Sequence, residues 1–383
     1  MGVRHGELRA PELTLGQKFW QINWGLLLLV TAGAGVGLAM LYSAANGAWD
    51  PWASRHAVRF GMGVAVMLVV AMIDIRFWMR HAYLIYAVAL ILLVAVEVAG
   101  TIGMGAQRWI DLRFFQLQPS EVMKIALVLA LARYFHTLNF EDIGRIGYLV
   151  VPVLMVVAPV MLILRQPDLG TAIMLAAGSA VIFFLSGVRW WKFVLVGMAG
   201  LASIPVAWNF LHEYQKKRIL TFLDPEKDPL GSGYHILQSK IAMGSGGMTG
   251  KGFIRGTQSH LNFLPEKQTD FIFTMLAEEF GLLGGLALIG LYAMIMIYGF
   301  AIAVRARSQF ARLVGMGVIT TFSLYVFINI AMVMGVIPVV GVPLPLVSYG
   351  GTAMLTVMIG FGLLMNVYVH RDTRIGRRWS DHA

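Results

Sequence analysis

The chain has 383 residues, 58% of them hydrophobic and 13% charged, with a mean hydropathy of +0.72. An average soluble domain carries roughly 25% charged residues, so an ordinary soluble globular protein is excluded and the apolar surplus must face lipid. The absence of cysteine excludes disulfides, thiolate catalysis and zinc-thiolate sites, and the formal charge of +10 comes from basic residues beside apolar runs, the pattern of cytoplasmic loops rather than of a nucleic-acid partner.

Apolar runs at 22–43, 57–73, 83–103, 121–135, 147–164, 170–187, 190–211, 278–304, 313–336 and 346–368 predict an all-α membrane protein, a polytopic bundle of about ten transmembrane helices. The first run is too long for a signal-peptide core and reads as an uncleaved span following the mixed polar residues 1–21. The fourth is the weakest, because Glu121, Lys124 and Arg133 interrupt it. Arg76, Arg80, Arg145, Arg189, Lys192, Arg305, Arg307 and Arg312 gather on one side of the alternating connections, while the other side holds Arg55, Arg59, Arg108, Arg113 and Arg165. That bias places the N-terminus (1–21) and the tail (369–383) in the cytoplasm. The long connection 212–270 then becomes one large extracytoplasmic loop, and its apolar residues Ile236, Leu237, Ile241, Phe253 and Leu261 predict a folded cap.

Ionisable groups in or beside apolar helices are costly and mark a functional or a paired site. Glu121 and Lys124, three residues apart, share a helix face and read as a buried ion pair, as a substrate-cavity wall, or as both. Glu97, Glu278 and Glu279 fit capping or interfacial solvation. In Arg165-Gln166-Pro167-Asp168-Leu169-Gly170 the proline ends one helix and Asp168 caps the next. The glycine-rich run Gly244 to Gly252 fails the phosphate-loop pattern, with Ser245 and Gly252 where Gly and Ser or Thr are required, so nucleotide-driven chemistry is rejected. Flexible turns explain it, and a diphosphate cradle with Lys251 is the alternative. Asp270 stands just before an apolar stretch, as a helix cap or as a general base. Lys216, Lys217, Arg218, Lys240, Lys251 and Lys267 share its loop and suit an anionic substrate.

Ordered motifs along nearly the whole chain resemble the SEDS (shape, elongation, division and sporulation) family. They are Gln107-Arg108-Trp109-Ile110, Gln118-Pro119-Ser120-Glu121 with Lys124, Gln166 to Thr171, Phe222 to Pro225, Gly233-Tyr234-His235-Ile236-Leu237-Gln238-Ser239, Gly250-Lys251-Gly252, Phe263 to Phe273 and Ser348-Tyr349-Gly350-Gly351. The segments Asp228 to His235 and Gly256 to Gln258 look more like the elongation-specific branch than the division-specific paralogue. The resemblance implies a peptidoglycan glycosyltransferase that polymerises lipid II on the outer face of the bacterial cytoplasmic membrane. It also implies a complex with a class B penicillin-binding protein transpeptidase and other elongation-complex membrane proteins, and it puts the essential carboxylate at Asp270.

In that chemistry Asp270 takes the proton of an acceptor hydroxyl, while cations stabilise a departing diphosphate. Arg218 and Arg108 are the first candidates, followed by Lys240, Lys267, Arg55 and Arg59, the last two also suited to lipid headgroups. The motifs add Trp109, Gln118, Ser120, Asp168, His235, Gln238 and Ser239 as structural or cavity residues. A divalent cation (Mg or Mn) is a further aid to the diphosphate, although no convincing metal-ligand cluster stands in the sequence. The rival readings are a lipid II flippase, its path lined by Glu121, Lys124 and Asn329, and a non-catalytic scaffold.

Overall fold

The computed structural model describes residues 14–103, 106–111, 116–210, 213–224, 232–261, 263, 266–373, 375 and 376. Most of the N-terminal segment 1–21, Arg113, His212, Pro225, the stretch 228–231, Leu264-Pro265 and most of the tail lie outside those residues.

Ten long helices match the ten predicted spans: α2 (Trp24–Ala44), α3 (Trp52–Met72), α4 (Ile75–Ala99), α5 (Pro119–Thr137), α6 (Ile146–Arg165), α7 (Leu169–Ser186), α8 (Trp190–Phe210), α12 (Ile272–Arg305), α13 (Gln309–Val333) and α14 (Gly351–Val369). A short α1 (Leu15–Trp20) precedes them, and α9 (Glu213–Leu223), α10 (Ser232–Ser245) and α11 (Thr257–His260) fold the long connection. Eight of the ten are long and apolar enough to cross a membrane. The others are α5, with its charges, and α8, whose apolar part is Trp190–Val206. The protein is therefore a polytopic helical membrane protein.

Several boundaries move. The third span starts at Ile75, where Asp74 caps the helix by accepting from the Arg76 amide at 2.7 Å, a signal hidden by the charged residues that follow. Its predicted end, 100–103, instead opens a small antiparallel sheet, β1 (Thr101–Gly103), β2 (Ala106–Asp111) and β3 (Gln116–Leu117), the one departure from an all-helical chain among the described residues. Asp168 caps α7 as predicted, accepting from the Thr171 amide at 3.2 Å and its hydroxyl at 2.9 Å.

Helices α5, α13 and α14 form the centre and are buried along most of their lengths. Peripheral helices present apolar side chains outward, among them Leu84, Ile91, Leu154, Leu195 and Val196, as a lipid-facing surface requires.

The eighth span begins at Ile272 rather than 278, and it breaks at Gly281, whose φ is +66°. The glycine-rich run 244–252 fills the break. Lys251 and Gly252 amides donate to the Glu278 and Glu279 carbonyls at 3.1 and 2.9 Å, and the Leu282 and Leu283 amides donate back to Gly247 and Met248 at 2.9 and 3.1 Å. This backbone is a clamp on a broken helix, so the diphosphate-cradle alternative loses its free amides at those positions. A side chain at Gly250, held at φ +83°, would run into the Glu279 carbonyl. Gly250→Ala is therefore expected to cost at least about 2 kcal/mol, read as a lower melting temperature in detergent. Gly244→Ala, with nothing within 4 Å, should leave melting unchanged or raise it. Equal melting of the two variants would contradict the clamp.

Candidate functional site

Asp270 ends a turn, 266–270, that leads into α12. Three consecutive carbonyls of that turn each receive a donor from α13 or from the segment before α14: the Tyr349 amide on Gln268 O at 2.8 Å, Ser348 Oγ on Thr269 O at 2.5 Å, and Asn329 Nδ2 on Asp270 O at 2.9 Å. The donors are themselves tied down, because Ser348 Oγ accepts from the Leu344 amide at 2.8 Å and Asn329 Nδ2 also donates to Val342 O at 2.7 Å. The Asp270 main chain is thus held on all these contacts, while no donor reaches its carboxylate among the described residues.

Burial pushes the Asp270 carboxyl up to about 6, the nearby Glu266 carboxylate pushes in the same direction, and the Arg218 guanidinium on α9 pulls it back. Gly341, at φ +74°, faces the carboxylate, and a Cβ there would lie 3.5 Å from Oδ2. The capping role open to Asp270 is not used, since the cap residue of α12 is Phe271 and shows no side-chain cap bond.

The other predicted cations divide. Arg218 is half-buried and near enough for its charge to act on Asp270. Lys240 is exposed and lies across Gly335, where a Cβ would be 3.0 Å from its Nζ. Arg59 sits 4.5 Å over the Tyr349 ring, beside the start of α14, while Arg55 is exposed one turn away. Two candidates are engaged in holding the protein together. Lys267 is buried and donates to Ser259 O at 2.9 Å, and burial pushes its ammonium below the usual lysine range. Arg108, on β2, donates to Gln166 O at 3.0 Å and to Pro167 O, with Asp168 at 4.0 Å. Lys251 pairs with Glu278 at 2.7 Å.

Glu278 and Glu279 are fully buried inside α12, which corrects the reading of both as interfacial groups or as caps of their own helix. Glu278 accepts from the Gln258 amide at 2.9 Å, the Ser259 amide at 3.2 Å and Ser259 Oγ at 2.8 Å, so it caps α11. Glu279 accepts from Ser43 Oγ at 2.5 Å and meets His260 Nε2 at 3.2 Å. Glu97 is half-buried, with one carboxyl oxygen buried without a partner among the described residues.

Glu121 and Lys124 form the anticipated pair at 2.7 Å, both nearly fully buried, and Tyr325 of α13 completes it by donating to Glu121 and accepting from Lys124. Gln118 reaches Asp168 at 3.5 Å, Ser120 is buried beside them, and Trp109 is half-buried on β2. On α10, Ser239 bonds Thr274 Oγ1 at 2.7 Å and Val333 O at 2.8 Å, His235 packs on Phe271 and Gln238 is half-buried. These motif residues fasten α10 to the start of α12 and the end of α13. Among the described residues no group of three or more His, Asp or Glu side chains has metal-holding geometry.

Sequence reasoning missed the donors Ser348 and Asn329 as neighbours of Asp270, together with Tyr325, Ser43 and His260. A polar residue in an apolar span was the available signal for Asn329 and Tyr325.

Fold and site together define a multi-pass membrane protein with the Asp270 carboxylate, raised by burial, at the loop-bearing end of the bundle. The FtsW/RodA/SpoVE family model, described as cell cycle protein, matches residues 23–373, and the chain belongs to that family. It is 45% identical over 350 residues to the peptidoglycan glycosyltransferase MrdB of Escherichia coli, covering 90% of this chain and 93% of that protein. It is 37% identical to the stage V sporulation protein E of Bacillus subtilis, covering 89% and 94%. Among solved structures, the rod shape determining protein RodA of Thermus thermophilus superposes with a TM-score of 0.70 at 29% identity, covering 92% of this chain and 98% of that one. A chain from a peptidoglycan synthase complex, studied for the structural coordination of polymerization and crosslinking, superposes at 0.79 with 34% identity, covering 91% and 98%.

Removing one member of a buried ion pair strands the other charge, at a cost of about 3–5 kcal/mol. Lys124→Met is accordingly expected to lower the melting temperature in detergent sharply. A variant as stable as the parent would mean that the Glu121–Lys124–Tyr325 cluster does not hold α5 to α13.

Proposed function

We infer that this protein is a peptidoglycan glycosyltransferase that polymerises lipid II into glycan strands during cell elongation, with Asp270 as its general base. One observation above the rest supports this reading: a carboxyl at the end of the bundle, raised by burial to about 6, with no donor on its oxygens among the described residues and the Arg218 charge close enough to pull it back. A base of that strength is largely ionised at neutral pH and stronger than an ordinary aspartate.

The 4-hydroxyl of the acceptor N-acetylglucosamine attacks the anomeric carbon of the donor N-acetylmuramic acid. Asp270 takes the hydroxyl proton as the new carbon–oxygen bond forms. The bond to the diphosphate breaks on the opposite side, and undecaprenyl diphosphate leaves with the electron pair. A single displacement turns an α-linked donor into a β-linked glycan and needs no carboxylate nucleophile. Arg218, Lys240 and Arg59 are the cations whose positions best suit the leaving diphosphate, because Lys267 and Arg108 already serve backbone carbonyls.

The chain acts as a single integral membrane domain in the bacterial cytoplasmic membrane. Both termini are cytoplasmic and the loop 212–270 and Asp270 are periplasmic, as the basic-residue bias supports. Its partner is a class B penicillin-binding protein whose transpeptidase crosslinks the new strand, within a larger elongation complex.

The test is polymerisation of purified lipid II by the protein with its cognate transpeptidase. Asp270→Asn, shown to be folded, is expected to make no polymer. Because the base must be ionised, wild-type activity should fall as pH drops through about 6. Full activity in Asp270→Asn, or a flat profile across that range, would contradict the assignment.

A further inference from the structure

Asn329 is fully buried in an apolar stretch of α13, between Ile328 and Ile330. Both hydrogens of its amide are used, on Asp270 O at 2.9 Å and on Val342 O at 2.7 Å. Its Oδ1 is buried with no partner among the described residues. A buried polar atom left unpaired costs about 1–3 kcal/mol, so filling space does not explain an asparagine here. What the amide does is tie together two segments that face each other across the carboxylate. One is the main chain of Asp270 itself. The other is the loop at Val342, whose neighbour Gly341 stands 3.5 Å from Oδ2, measured from where a Cβ would be.

We propose that Asn329 is a positioning residue: through its two donors it sets the distance and angle between the Asp270 carboxylate and the Gly341–Val342 backbone, and so fixes where an acceptor hydroxyl meets the base. The proposal rests on the reading of Asp270 as general base. Asn329 touches no reacting atom in it. Loss of the two donors leaves the carboxylate in place chemically but lets it leave the reactive geometry, which lowers the rate of the bond-forming step and spares substrate affinity.

The experiment compares Asn329→Leu and the near-isosteric Asn329→Asp with wild type and with Asp270→Asn, each as full-length protein with its transpeptidase partner, on purified lipid II. Misplacement of a reacting group by about 1 Å costs on the order of 100-fold, so both Asn329 variants are expected to lower kcat by about 10- to 100-fold with KM changed by less than about twofold. Each Asn329 variant withdraws donors from two buried carbonyls and is expected to melt lower than wild type, so kcat and KM are read at a temperature where each variant is folded and still binds its partner. If Asn329→Leu does not fold, Asn329→Asp, which keeps the shape, decides the matter. Wild-type kcat in the folded variants overturns the proposal. So does a raised KM at constant kcat, which would assign Asn329 to substrate binding, and so does an activity loss no larger than the unfolded fraction at the assay temperature, which would leave only a structural role. Retained activity in Asp270→Asn is a different failure, since it removes the base itself whatever the Asn329 variants do.

Discussion

Three successive carbonyls, Gln268, Thr269 and Asp270, need hydrogen-bond donors at the edge of a low-dielectric bundle, and all three donors come from α13 and the segment leading into α14. Buried backbone carbonyls left without donors are expensive, so this pairing determines where the turn can sit. The turn is locked to α13 and to the segment leading into α14, and Lys267 ties it also to the Ser259 carbonyl of the preceding loop. The carboxylate projects without a bond of its own among the described residues, because its main chain carries the positional constraint. Such freedom suits a base, whose oxygens must be open to a substrate hydroxyl.

A second set of contacts shapes the approach to the turn. The break at Gly281 exposes backbone groups that the glycine-rich run satisfies, and Glu278 and Glu279 turn inward to gather α11 and the end of α2. Ser259, held by Glu278, offers its carbonyl to Lys267, three residues before Asp270. The chain from helix break to capped short helix to lysine links the clamp to the base. Buried charges of this kind are stable only when each partner is supplied, and here the supply comes from three separated parts of the sequence.

The ten helices were legible because an apolar run of helical length has few alternatives in a membrane protein. Boundaries failed where charge or glycine interrupts a helix without ending it: Arg76 and Arg80 hid the first turns of α4, and Gly281 hid a helix already begun at Ile272. Asp270, Arg218 and the Glu121–Lys124 pair were readable as candidates from residue type and spacing. Their partners were not, since Tyr325, Ser348 and Asn329 lie 59 to 204 residues away from the groups they bond. The partners of Lys251, Lys267 and Arg108 were illegible for the same reason, because a basic residue near a lipid boundary gives no sign in one dimension that a carbonyl or a glutamate already holds it.

The central claim is that the Asp270 carboxylate meets the acceptor hydroxyl. The most direct measurement is a structure of the protein with its transpeptidase and an unreactive lipid II donor analogue together with an acceptor glycan. A carboxylate oxygen within about 2.6–3.2 Å of the acceptor 4-hydroxyl is the predicted result, and a separation beyond about 5 Å with no bridging water would contradict it.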